Sequence, residues 1–202
     1  LSRVKGGKLL GEAGKRESLS LILSDVVGDR PETVGSGPTV PNDENAAERA
    51  REILKRVGLW ESLSEAVRQT IEKDALSRGS RKVSSCTRTV LVGSNRTLCL
   101  AVLQKLRSKG FSVFDQGSSS TGEAKEIGKD LAALAKSIRE SDSPVPVPAA
   151  VVSGGEAVVT FDSASQGTGG PNQEVALSFA IETAGCPRTV LLSMDTDGID
   201  GC

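Results

Sequence analysis

Histidine and tyrosine are both missing from this sequence of 202 residues, and aromatic residues make up 2% of it. Without histidine, the side chain best suited to moving protons near neutral pH is gone. Acid–base work therefore falls to carboxylates, lysine or water. Basic blocks are lacking too, and the formal net charge is −1. Few aromatics and no basic face argue against nucleic acid and against a charged membrane surface as partners. No run reaches the ~18 apolar residues of a membrane span. Nor is there a Cys-x-x-Cys pair. Cys86, Cys99, Cys186 and Cys202 lie far apart and read as reduced intracellular thiols, not as a metal site or a disulfide framework. The opening "LSRVKGGKLLGEAGKRES" has no apolar core of signal-peptide length. The chain starts at Leu1 and stops directly after "DTDGIDG", which reads as a piece of a longer protein.

What is present is ordinary globular material, 37% hydrophobic and 25% charged. "SLSLILS" (18–24) predicts a buried strand feeding a long loop. Ala46, Ala47, Ala50, Ile53, Leu54 and Val57 recur at helical spacing, and Leu63, Ala66, Val67 and Ile71 give a second helical face. "TRTVLVG" (87–93) reads as a strand, and Ser94 or Asn95 can cap a helix over 96–109 that ends at Gly110. "FSVFD" predicts a strand, and 121–139 an amphipathic helix. The prolines of "SDSPVPVPAA" disfavour helix and predict a stiff connector and a domain boundary at 141–148. Beyond it, "AAVVS", "EAVVTF" and "TVLLSM" read as strands, with a helix over "NQEVALSFAIETA". Strands alternating with helices predict two α/β domains with largely parallel sheets, the N-terminal one Rossmann-like.

In such sheets, sites gather where strand ends run into loops. Four junctions combine glycine, a carboxylate or amide, and a hydroxyl. They are "SDVVGD" from Ser24, "GSN" from Gly93, "SGGE" from Ser153 and "DTDGIDG" from Asp195. Each alone is also an ordinary polar turn. Together they suit a metal–phosphate site, with oxygen ligands for the cation and backbone N–H groups for the anion. No standard nucleotide fingerprint is present. "GEAGKRES" has Arg16 where Ser or Thr is required, and "GSGPTV" ends its glycine pattern on Val40. A further stretch, "SQGTGGPNQEVAL", sets Gly167, Gly169 and Gly170 before a helix that starts at Pro171. Proline at the first helical position costs no hydrogen bond, and the next N–H groups are free to face an anion.

In this order, "LSRVKGGKLL", "LILSDVVGD", "SGPTVP", "GSN", "SGGE", "GGPNQE" and "TDGIDG" resemble the glycerate kinase family of the glycerate 2-kinase type. That family has an N-terminal α/β domain and a C-terminal MOFRL domain. The resemblance places 1–140 in the first domain, 141–148 in a linker and 149–202 in the start of MOFRL. It implies phosphorylation of D-glycerate by ATP with Mg²⁺, no nucleic acid or membrane partner, and a cytoplasmic or mitochondrial setting. Asp25, Glu156 and Asp197 match active-site carboxylates of the family, and Asp25 and Asp197 are the expected metal ligands. Gly154, Gly155, Gly169, Gly170 and Asn172 are the expected nucleotide contacts, each glycine equally readable as a plain turn. The sequence departs from the family at two positions. Pro171 stands where "GGRNQE" has an arginine implicated in the active site, and Asp195 stands where glycine is usual before "TDG". The family's catalytic lysine would lie upstream of Leu1. A catalytically impaired homologue that binds a phosphorylated ligand or a partner is the alternative.

Overall fold

The computed structural model describes residues 2, 4–14, 16–40, 45–76, 87–161 and 167–201; Cys86 and Cys202 fall outside them. Two units form. One comprises the chain up to Ser24 with Asp29–Val92, the other Asp25–Gly28 with the chain from Gly93 onward.

The first unit holds α1 (Lys8–Ala13), β1 (Ser18–Ser24), α2 (Ala46–Arg56), α3 (Glu65–Leu76) and most of β2 (Thr87–Ser94). β1 and β2 pair. The strand expected at 18–24 is there, but it is not buried as expected. Leu19, Leu21 and Leu23 are 60%, 63% and 76% exposed. Alternation of serine and leucine puts the leucines on one face, and among the described residues nothing covers that face. α2 carries Glu48 in its first turn and Lys55 and Arg56 in its last, so its charges oppose the helix dipole. Lys55 also lies 5.7 Å from the ring centre of buried Trp60, a cation–π contact.

The second unit runs α4 (Asn95–Ser108), β3 (Ser112–Asp115), β4 (Ser120–Glu123), α5 (Ala124–Ser141), β5 (Ala149–Val152), β6 (Gly155–Val158) and α6 (Pro171–Glu182). β3 pairs with β5 in parallel, Ser112 opposite Ala149 and Asp115 opposite Val152. β4 pairs with β6 in parallel, Ser120 opposite Gly155. The architecture is thus α/β with parallel strand pairs. Both pairings cross residues 141–148, as does the packing of α5 on α6. The proline-rich stretch therefore lies between elements that pair with one another within the second unit. Composition shows that such a segment is extended; it does not show what pairs on either side.

Ser94 caps α4, its Oγ accepting the N–H of Thr97 at 3.3 Å. One face of α4 then buries Cys99 and Leu103 against Val152, with Leu106 and Val113 at the margin. α5 and α6 meet through small residues. A Cβ on Gly128 would come within 2.6 Å of the Val175 carbonyl, and the Ser178 hydroxyl donates to the Lys125 carbonyl at 2.6 Å. Two elements differ from expectation. "STGE" (120–123) is β4 and delays the helix to Ala124, because β6 offers it a ladder. "TVLLSM" forms no strand among the described residues. It does keep the alternation of one, with Val190, Leu192 and Met194 outward at 93%, 83% and 62% exposure. Alternation supplies a face, whereas a strand also needs a hydrogen-bonded neighbour.

An ion pair locks α4 to β3. Both terminal guanidinium nitrogens of Arg96 donate to the Asp115 carboxylate at 2.8 Å, and the Gly117 N–H adds a third bond at 2.8 Å. The Arg96 hydrogen bonds, then that of Gly117, bring the Asp115 carboxyl from its ordinary 3.8 down to about 2. A carboxyl with a lowered folded-state pKa stabilises the fold above its unfolded value and loses that contribution as it is protonated. Asp115→Asn should therefore lower the urea midpoint at neutral pH. The gap from the parent should close as pH falls from about 4 to about 2. A pH-independent gap would assign the loss to packing instead.

Candidate active site

Asp25 directly follows β1 and belongs with the second unit. There it lines a cleft of about 480 Å³ with Val26, Val27, Thr121, Gly122, Glu156 and Val158. Two of the three expected catalytic carboxylates, Asp25 and Glu156, thus share one cleft. Both are exposed to solvent. The reason lies in the strands. β4 and β6 run in register, so Thr121 stands opposite Glu156 and Gly122 opposite Ala157, and the 25–27 turn closes against them. Thr121 and Gly122 went unnoticed in the sequence, where "STGE" reads as a helix start.

Asp197 does not line this cleft. Its carboxylate accepts the N–H of Ile199 at 3.4 Å within its own turn. The expected metal pair Asp25 and Asp197 is therefore not what the cleft assembles; it sets Asp25 with Glu156. No cluster of three or more potential metal ligands occurs among the described residues. Two carboxylates do suit Mg²⁺, which keeps several waters and binds through one or two carboxylates plus substrate phosphates.

The glycines of "SGGE" have an internal purpose. A Cβ on Gly155 would fall on the backbone of Ser120, and one on Gly154 would fall on the Asn95 amide and lie 2.8 Å from Cys99 Sγ. The Gly154 N–H donates to the Gly117 carbonyl at 2.9 Å, and its own carbonyl accepts from Ser120 N–H at 3.0 Å. The close approach that glycine permits here is to the chain itself.

The start of α6 is likewise occupied from within, which corrects the expectation that its N–H groups stay free. Asp200 accepts the N–H of Asn172 at 2.9 Å and that of Gln173 at 2.8 Å. The Asn172 side-chain amide adds a bond at 3.1 Å. Asp200 is not legible in the sequence as a cap, because an aspartate 28 residues from a helix start gives no local sign of capping it. A Cβ on Gly170 would meet Asp200 at 2.5 Å, so this glycine too serves an internal approach. Burial draws the Asp200 carboxyl upward, but the Asn172 and Gln173 backbone donors outweigh it and hold the group below its ordinary value. Asp195 moves the opposite way. Burial, then a hydrogen bond and charge from Asp200, raise its carboxyl. Of the two neighbouring carboxyls, Asp195 is therefore the first to take up a proton as pH falls.

Comparison with known proteins fits this architecture. Residues 1–72 match a domain of unknown function, DUF4147, and residues 149–202 match the MOFRL family. The sequence is 36% identical over 204 residues to glycerate 2-kinase from Pyrococcus horikoshii, covering 100% of this chain and 46% of that protein. A protein from Agrobacterium vitis named as a hydroxypyruvate reductase is 34% identical, again over 100% of this chain and 45% of its own length. The crystal structure of glycerate kinase from Thermotoga maritima superposes with a TM-score of 0.85 at 35% identity, covering 100% of this chain and 46% of that one. The fold and site thus define an α/β protein of the DUF4147–MOFRL class. Over its whole length the chain is similar to glycerate kinases. It spans about half the length of the relatives it matches.

Proposed function

We propose that the complete protein transfers the γ-phosphoryl group of ATP to a hydroxyl of D-glycerate, giving 2-phosphoglycerate. The observation that carries this reading is the meeting of Asp25 and Glu156 in one open cleft. Phosphoryl transfer depends mainly on positioning and on neutralising charge. A carboxylate in the cleft is suited to accept the attacking hydroxyl's proton. Asp25 takes that role, and Glu156 holds the substrate hydroxyls. Bound Mg²⁺ would supply charge neutralisation on the phosphates, with Asp25 and Glu156 as the cleft's carboxylates for it. The discriminating experiment supplies ATP, Mg²⁺ and D-glycerate and follows ADP, with phosphorus NMR to separate 2- from 3-phosphoglycerate. A parallel assay supplies hydroxypyruvate with NADH or NADPH. Hydride transfer without ADP release would replace the kinase reading with reduction, the activity in the name of the Agrobacterium vitis relative.

One observation favours a second reading, a catalytically impaired binder. Relative to the family pattern, Pro171 removes one positive charge and Asp195 adds one carboxyl, both at the start of α6. That place therefore repels an anion more than the family pattern would. Pro171→Arg keeps the helix start, since the N–H it restores is one that helices leave unpaired anyway. With the cleft carrying the reaction, turnover should stay within about tenfold of the parent. A gain of roughly a hundredfold or more, the size of one lost transition-state donor, would establish the impaired form instead.

A further inference from the structure

Beside the cleft of Asp25 and Glu156, the second unit has another cavity, of about 310 Å³, in the size range of small-molecule sites. Six polar side chains line it: Gln116, Ser119, Ser120, Thr121, Asp130 and Ser153. Ile127 and Leu131 of α5 form its apolar wall. Gln116 directly follows β3 and Ser153 directly follows β5. The cavity thus sits at the carboxyl ends of parallel strands, where α/β proteins bind ligands.

Its chemistry is selective. Ser120 is half-buried and the other five are exposed, so all six are open to an occupant from solvent. Four hydroxyls, one amide and one carboxylate face the space, and no lysine or arginine does. A phosphate or a free carboxylate would meet Asp130 with no cation to offset it. A neutral, hydroxyl-bearing group fits instead. Vicinal hydroxyls can donate to Asp130 while the serines, Thr121 and Gln116 donate or accept as needed. Thr121 lines both this cavity and the cleft of Asp25 and Glu156, so the two occupants would be neighbours.

We infer that this cavity binds the ribose of the nucleotide, with the Asp130 carboxylate accepting hydrogen bonds from the sugar hydroxyls. This rests on the kinase reading for the choice of ATP, but its test does not need turnover. Adenosine and 2′,3′-dideoxyadenosine are titrated calorimetrically into the complete protein, its Asp130→Ala variant and its Asp130→Asn variant. The parent should favour adenosine by roughly tenfold or more, as expected for hydrogen bonds to a charged group. Both variants should lose that preference while retaining the parent's circular dichroism. In kinase assays, KM for ATP should rise by a similar factor, with kcat and KM for glycerate unchanged. Adenosine that fails to bind at millimolar concentration, or a preference that survives both substitutions, overturns the assignment. A preference lost in both variants, with no glycerate phosphorylation by the parent, would keep the ribose site and remove the kinase reading.

Discussion

Asp25→Asn in the complete protein should lower turnover with ATP and D-glycerate by about 10²–10⁴-fold, the range for losing a positioned proton acceptor. The substitution keeps the shape of the side chain and removes only its charge and basicity. Asp25 is solvent-exposed at the mouth of its cleft, so the fold has little to lose. A steady-state assay read beside a thermal melt separates the two effects, with turnover falling and the melting temperature holding. Glu156→Gln shares the cleft and should act chiefly on KM for glycerate. Asp197→Asn should cost less than either, because Asp197 bonds within its own turn and does not line the cleft. The reverse order, with Asp197 the most damaging, would move the reaction centre to the "DTDGIDG" loop.

Gly155→Ala should be among the most destabilising single changes to the second unit, by roughly 3 kcal/mol or more. Glycine here is not required by its φ angle. It is required because β6 runs against β4 at Ser120, and the added methyl would land on the backbone there. A flexible side chain could move aside. A backbone held in a parallel ladder moves only if the ladder opens. Urea unfolding of the variant should show a clearly lower midpoint with a comparable slope. Gly167→Ala is the matched control, because a Cβ there meets nothing within 4 Å. Equal loss in both variants would point to glycine's backbone freedom and away from the close approach at Ser120.

The pattern of strands and helices was legible because it is local. Ser94 can cap α4 whatever surrounds it, and Gly110, at φ +86°, ends the segment that follows in the way its residue type suggests. Apolar spacing at three and four residues marked α2, α4, α5 and α6 within a few residues of their observed bounds. The candidate carboxylates Asp25, Glu156 and Asp197 also stood out, each beside glycine at a strand end or loop. By itself, then, the sequence determined most of the helices and strands, "STGE" and "TVLLSM" excepted, and which loops held the acidic groups.

Only the tertiary structure decided which of those loops meet. It joined Asp25 to Glu156 and left Asp197 aside, because the β4–β6 register brings Thr121, Gly122 and Glu156 to one cleft. It carried strand pairing across the proline-rich stretch, because β3 finds its partner β5 on the far side. It also showed that the start of α6 is filled by Asp200, and that Gly154, Gly155 and Gly170 make room for the chain itself. A glycine in sequence announces a close approach. Which atoms approach is set by contacts between residues 28 or 35 positions apart, Asp200 with Asn172 and Gly155 with Ser120, and no local rule reaches that far.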